Sequence, residues 1–80
     1  MTAKITRALS ELETGAKGKV VTFRAQGLLK QKLYNMGFIP GSEILVVRSA
    51  PLLDPIEVMV QNYFVSIRRE EAAIVEVEEI

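Results

Sequence analysis

The chain has 80 residues, ten basic and ten acidic, with a formal net charge of zero and neither histidine nor cysteine. That excludes a disulfide staple, a thiolate or imidazole metal site, and catalysis built on His or Cys. With 49% apolar residues, residues 1–80 read as one small domain that buries roughly 60–65% of its unfolded surface. The absence of a long apolar run or an apolar leader points to a cytoplasmic protein without membrane insertion.

The segment from Ile5 to Leu12 opens the domain. Ser10 is the expected N-cap of a single turn carrying Glu11 and Glu13, with Leu9 and Leu12 packed inward. A glycine-flanked turn from Gly15 to Gly18 leads into Lys19–Arg24, whose β-branched and aromatic residues predict a strand. A helix is expected from about Gly27 to Met36, because Leu29, Leu33 and Met36 recur at i, i+4 and i+7. Lys30, Gln31, Lys32 and Asn35 fill most of its opposite face. No Ser, Thr, Asp or Asn precedes Gly27, so the helix start lacks a good cap. Gly37 suits the left-handed helix stop, Phe38 can fold back on the last turn, and Pro40-Gly41 forms a tight turn.

The rest reads as β structure. The apolar run Glu43–Arg48 predicts a strand buried on both faces or a barrel strand. Pro51 to Pro55 is a proline-bounded loop carrying Leu52 and Leu53, and Asp54 is suited to accept backbone N–H bonds there. Ile56–Val60 alternates, with Ile56, Val58 and Val60 inward and Glu57 and Met59 outward. Gln61-Asn62 is a two-residue hairpin turn. The return strand Tyr63–Arg68 places Val65 and Ile67 on one face. A short helical turn, Arg69–Ala73, follows, and Arg68 and Glu70 could pair across it. In the last strand Val75 and Val77 oppose Glu76 and Glu78. Five short strands with one helix after the first long strand make a small, partly open barrel.

Charge divides along the chain. Residues 1–48 carry eight basic and three acidic side chains, leaving +5, and residues 49–80 carry two basic and seven acidic, leaving −5. Folded together, the halves should screen each other.

Three blocks carry a family likeness. They are Gly15-x-x-Gly18 with Leu33-x-x-Met36-Gly37-Phe38-x-Pro40-Gly41, then Asp54-Pro55-Ile56, then Ser66-Ile67-Arg68-x-Glu70-x-Ala72. In this order they resemble the FeoA family of bacterial ferrous-iron-transport proteins, over about Ile5 to Val77. Lys32, Leu53 and Asn62 stand where that family usually has Arg, Gly and Gly. The resemblance implies a mainly β, SH3-like small barrel and a cytoplasmic accessory role in iron(II) uptake. It also implies a partner, the FeoB permease with its GTP-binding domain. The same domain type ends the diphtheria-toxin-repressor family of metal-dependent repressors.

No residue is singled out as catalytic, no cofactor is expected, and no metal site is assigned. Glu70 with Glu71, or Glu76 with Glu78 and Glu79, would be the only carboxylate groupings for a direct metal ion. Lys17, Lys19, Arg24, Lys30, Lys32 and Arg48 offer a basic face, but neutral net charge and few aromatics argue against nucleic acid. Protein–protein contact is the favoured reading. The expected patch is Leu28, Lys32, Tyr34, Leu52, Leu53 and Met59, with Phe64 and Tyr63 as further exposed candidates. Weak self-association is another use of the same patch. The alternative function is a stand-alone regulatory or adaptor domain of another transition-metal-responsive system, binding metal through carboxylates.

Overall fold

A computed structural model describes residues 5–49 and 54–80. The strands are β1 (Thr6–Ala8), β2 (Lys17–Phe23), β3 (Glu43–Arg48), β4 (Ile56–Val60), β5 (Tyr63–Ile67) and β6 (Val75–Glu79). Helix α1 (Leu28–Asn35) joins β2 to β3, and the single turn α2 (Arg69–Ala72) joins β5 to β6. The sheet is antiparallel throughout, in the order β1-β6-β2-β3-β4-β5. One strand more than expected is present. β1 spans three residues with one buried side chain, too short to show an alternating pattern.

The opening turn also differs from expectation. Ser10 lies inside a 3-10 turn, Leu9–Glu11, and Ala8 takes the cap position. The Glu11 carboxylate reaches back to accept the Ala8 N–H at 2.8 Å, so the turn is closed from its far end rather than by Ser10. Leu9 and Leu12 are buried as expected.

The stop of α1 follows from Gly37, at φ 104°. The Phe38 N–H bonds to Leu33 O and the Gly37 N–H to Tyr34 O, both at 3.0 Å, the paired bonds of a Schellman motif. Leu33 and Phe38 meet beneath it, both fully buried. The next turn, Ile39 to Ser42, closes with Ser42 N–H on Ile39 O at 2.9 Å. Gly41 occupies its third position at φ 94°, where a side chain would be strained. The start of α1 has no side-chain cap.

β3 is buried on one face only. Ile44 and Val46 point inward while Glu43, Val47 and Arg48 are exposed, and the pairing with β4 shifts register at Val47. Alternation in β4 is as expected, and Gln61 and Asn62 both take positive φ, the geometry of a type I′ hairpin. The core joins both sides of the coiled sheet: Leu9, Leu12, Val20, Phe23, Leu33 and Phe38 pack with Ile44, Val46, Ile56, Val58, Val60, Ile67, Val75 and Val77. Among the described residues, no helix is long and apolar enough to cross a membrane.

Candidate partner-docking surface

Helix α1 buries Leu33 and lays Leu29 and Met36 against the core. That orientation forces Leu28 outward, and it is 84% exposed. A leucine so placed contributes nothing to the core and costs solvation. Tyr34 lies on the outer side with its ring 5.3 Å from Phe23, tilted by 39°. The Lys30 ammonium sits over both rings, 5.7 Å from the Tyr34 centroid and 6.0 Å from that of Phe23, within cation–π range. Gly27, Lys30, Gln31, Tyr34 and Asn35 line a shallow open hollow of about 490 Å³ on this face.

Lys32 is fixed. Its Nζ donates to Glu71 Oε2 at 2.7 Å, tying α1 to α2. Glu71 is buried and also accepts the Arg68 N–H at 3.0 Å through Oε1. The Lys32 hydrogen bond foremost, then the Arg68 amide, hold its carboxyl below its ordinary value of 4.5. Where the sequence allowed a pairing of Arg68 with Glu70 across the turn, the bond present is that of Glu71 to the Arg68 backbone.

The expected patch divides. Leu28, Lys32 and Tyr34 share α1. Met59 opens on a different hollow, of about 350 Å³, lined by Lys17, Glu43, Ile44, Leu45, Gln61 and Asn62 with no α1 residue. Leu52 and Leu53 lie outside the described residues. Two exposed apolar residues beyond that patch stand out on β5: Tyr63 is 73% and Phe64 72% exposed. Their signal in sequence is weak, because Tyr63 falls in phase with inward Val65. Val47 gives little signal because it lies in an unbroken apolar run; alternation with the buried Ile44 and Val46 turns it out.

Of the carboxylates considered for metal binding, Glu71, Glu76 and Glu79 are engaged otherwise. Glu76 accepts a short hydrogen bond from Thr6 Oγ1 and lies 3.5 Å from Arg24 Nε. The Thr6 bond, ahead of the Arg24 charge, lowers its carboxyl below the ordinary value. Glu79 pairs with Arg7 at 2.9 Å. Among the described residues, no group of three or more His, Cys, Asp or Glu side chains is placed to hold a metal ion. The basic face is likewise dispersed: Arg24, Lys32 and Arg48 each pair with a carboxylate. Asp54 accepts a backbone N–H as expected, from Arg69 at 2.9 Å, fifteen residues away.

Comparison with known proteins gives these surfaces a context. The chain is 44% identical over 70 residues to the Fe(2+) transport protein A/Fe(2+) transporter FeoB fusion protein of Porphyromonas gingivalis. That match covers 88% of this chain but spans only 8% of the relative's length. A crystal structure of an iron uptake regulatory protein (FeoA) superposes with a TM-score of 0.89 at 34% identity, covering 95% of this chain and all of that one. The zinc-complexed FeoA of Stenotrophomonas maltophilia, described as a prokaryotic SH3 domain protein, superposes with a TM-score of 0.78 at 28% identity, covering 92% of this chain and 89% of that one. A manganese-dependent transcriptional repressor shares the fold alone, at 17% identity, a TM-score of 0.87 and coverage of 45% of its length. The FeoA domain matches across residues 7–79, and with the SH3-like fold shared with solved FeoA proteins, the chain belongs to the FeoA family.

Proposed function

We propose that this protein is a cytoplasmic, non-enzymatic accessory of ferrous iron uptake that docks on a FeoB-type permease through the outer face of α1. The observation that carries the partner is the relative in which a FeoA segment and a FeoB transporter share one chain, since covalent joining supplies a high effective concentration to partners that meet anyway. The geometry of α1 supports the surface. Leu28 projects as an apolar knob, Tyr34 and the Lys30 ammonium form a rigid stacked platform beside it, and Lys32 is held in place by Glu71. The Lys32 charge is met by Glu71, which leaves Lys30 as the α1 cation without an ion pair among the described residues, so its complement is an apolar socket with an acidic group at its rim. Docking that favours one nucleotide state of the GTP-binding domain would shift its population.

Titration calorimetry with the GTP-binding domain of the organism's own FeoB, loaded with GDP or a GTP analogue, tests the reading. Leu28→Glu should weaken binding about 10- to 100-fold, as loss of a buried anchor does. Binding should also weaken with added salt. Undiminished affinity of a folded Leu28→Glu variant would remove α1 from the interface. No binding by the wild type in either nucleotide state would remove the partner.

A further inference from the structure

β5 is one of the two edges of the sheet, and its sequence, Tyr63-Phe64-Val65-Ser66-Ile67, contains no charge and no proline. Natural edge strands usually carry such residues to prevent pairing with another chain. Among the described residues, no hydrogen bond reaches β5 except from β4. Its two aromatic residues stand out on both faces, although Tyr63 lies opposite the buried Val60. The beginning of the strand therefore projects past the barrel.

The hairpin sets the phase of that free edge. The two-residue turn makes Val60 and Tyr63 a hydrogen-bonded pair, and so are Val58 with Val65 and Ile56 with Ile67. The N–H and C=O groups of Phe64 and Ser66 then point away from β4, to the open side. We infer that this edge binds a second copy of the chain, β5 against β5, antiparallel about a two-fold axis at Val65.

The occupant follows from self-complementarity. Pairing about Val65 sets Phe64 against the partner's Ser66 and Ser66 against the partner's Phe64, so outward-facing groups meet outward-facing groups. All five residues of β5 are used. A two-fold axis at Phe64 would instead draw the turn residue Asn62, in its left-handed conformation, into the ladder. The two Phe64 side chains become diagonal neighbours on one face, within reach of each other. Just beyond the strand, Arg68 faces the partner's Asn62, a cation beside an amide with no like-charge pair. On the outer face Phe64 already lies directly across from Met59, and Met59 from Leu45. Pairing thus joins two short apolar rows into one. This surface is separate from the α1 face, and the inference does not depend on the proposed permease contact.

The absence of cysteine makes a register-specific test available. Val65 is the central non-hydrogen-bonded pair, with Cα atoms expected about 4.5 Å apart, inside the disulfide window of about 4.4–6.8 Å. Val65→Cys under mild oxidation should form a covalent dimer faster than Leu28→Cys, whose thiol is more exposed but lies on α1. Equal or slower cross-linking of Val65→Cys overturns the register. In sedimentation equilibrium the wild-type mass should rise towards a dimer with concentration. Ser66→Pro should stay monomeric, because it removes only the outward N–H and proline is tolerated on an edge strand. If that variant does not fold, Phe64→Lys serves, placing two like charges near the axis. A wild-type protein that stays monomeric, or a folded edge variant that associates like wild type, sinks the proposal. Leu28→Glu should leave self-association unchanged, which separates this outcome from any result on permease binding.

Discussion

At the scale of single residues, space is as constraining as backbone conformation. Gly18 is buried in β2 beside β6, and a Cβ placed there would lie 2.9 Å from Val77 Cγ2, 3.0 Å from Val77 Cβ and 3.1 Å from Leu12 Cδ1. Val77 is fully buried and Leu12 nearly so, and the Val77 Cβ cannot be moved by a rotamer change. Gly18→Ala should therefore destabilise the fold by about 1–3 kcal/mol, the usual cost of overpacking. Urea denaturation measures it. The diagnostic is coupling: Val77→Ala should cost less in the Gly18→Ala background than alone, because it removes one of the clashing methyls. Strict additivity would mean the backbone, not Val77, absorbs the added carbon.

At the scale of elements, the four-residue α2 shows how a segment too short to hold itself is held from outside. An isolated turn of helix is unstable in water. Here the Glu71 side chain accepts the Arg68 N–H, Asp54 accepts the Arg69 N–H, and Lys32 reaches across from α1. Asp54→Ala should lower stability by about 1 kcal/mol, the typical loss of a capping carboxylate, and speed hydrogen exchange at the Arg69 amide. An unchanged exchange rate would show that the bond contributes nothing. Elements with local causes are legible in the chain. Gly37 with Phe38, Pro40 with Gly41, and the alternation in β4 each specify their own geometry. Features with distant causes are not. β1 exists because β6 pairs with it, and the Glu11 cap displaces the Ser10 reading because a longer side chain can reach back. The one-sided burial of β3 depends on what covers the sheet. The candidate surface divides in the same way. The phase of the helix places Leu28, Lys32 and Tyr34 together, whereas separating Met59 from them requires knowing where β4 lies.

At the scale of the whole molecule, the opposite charges of the two halves are used structurally. Four ion pairs among the described residues, Arg7–Glu79, Arg24–Glu76, Lys32–Glu71 and Arg48–Glu57, each join a base from residues 1–48 to an acid from residues 49–80. Exposed pairs such as Arg48–Glu57 contribute little individually, so the pH response should be concentrated at the carboxylates whose titration is displaced. Glu71 and Glu76 both ionise below their ordinary value in the folded chain. Their contribution is complete above the ordinary carboxylate range. It is lost as pH falls through the lowered folded values, because the unfolded chain takes up protons that the folded chain refuses. Stability should then decline as pH falls below the ordinary carboxylate range. Glu71→Gln should be less stable than wild type at pH 7, since it weakens the Lys32 pair, and should lose less on acidification. Urea midpoints at pH 7, 5, 4 and 3 measure both curves. Convergence of the two at low pH is expected, because the protonated Glu71 carboxyl and the amide that replaces it are both neutral there. Curves that stay parallel would show that Glu71 does not carry the acid response and that the lock between α1 and α2 is not electrostatic.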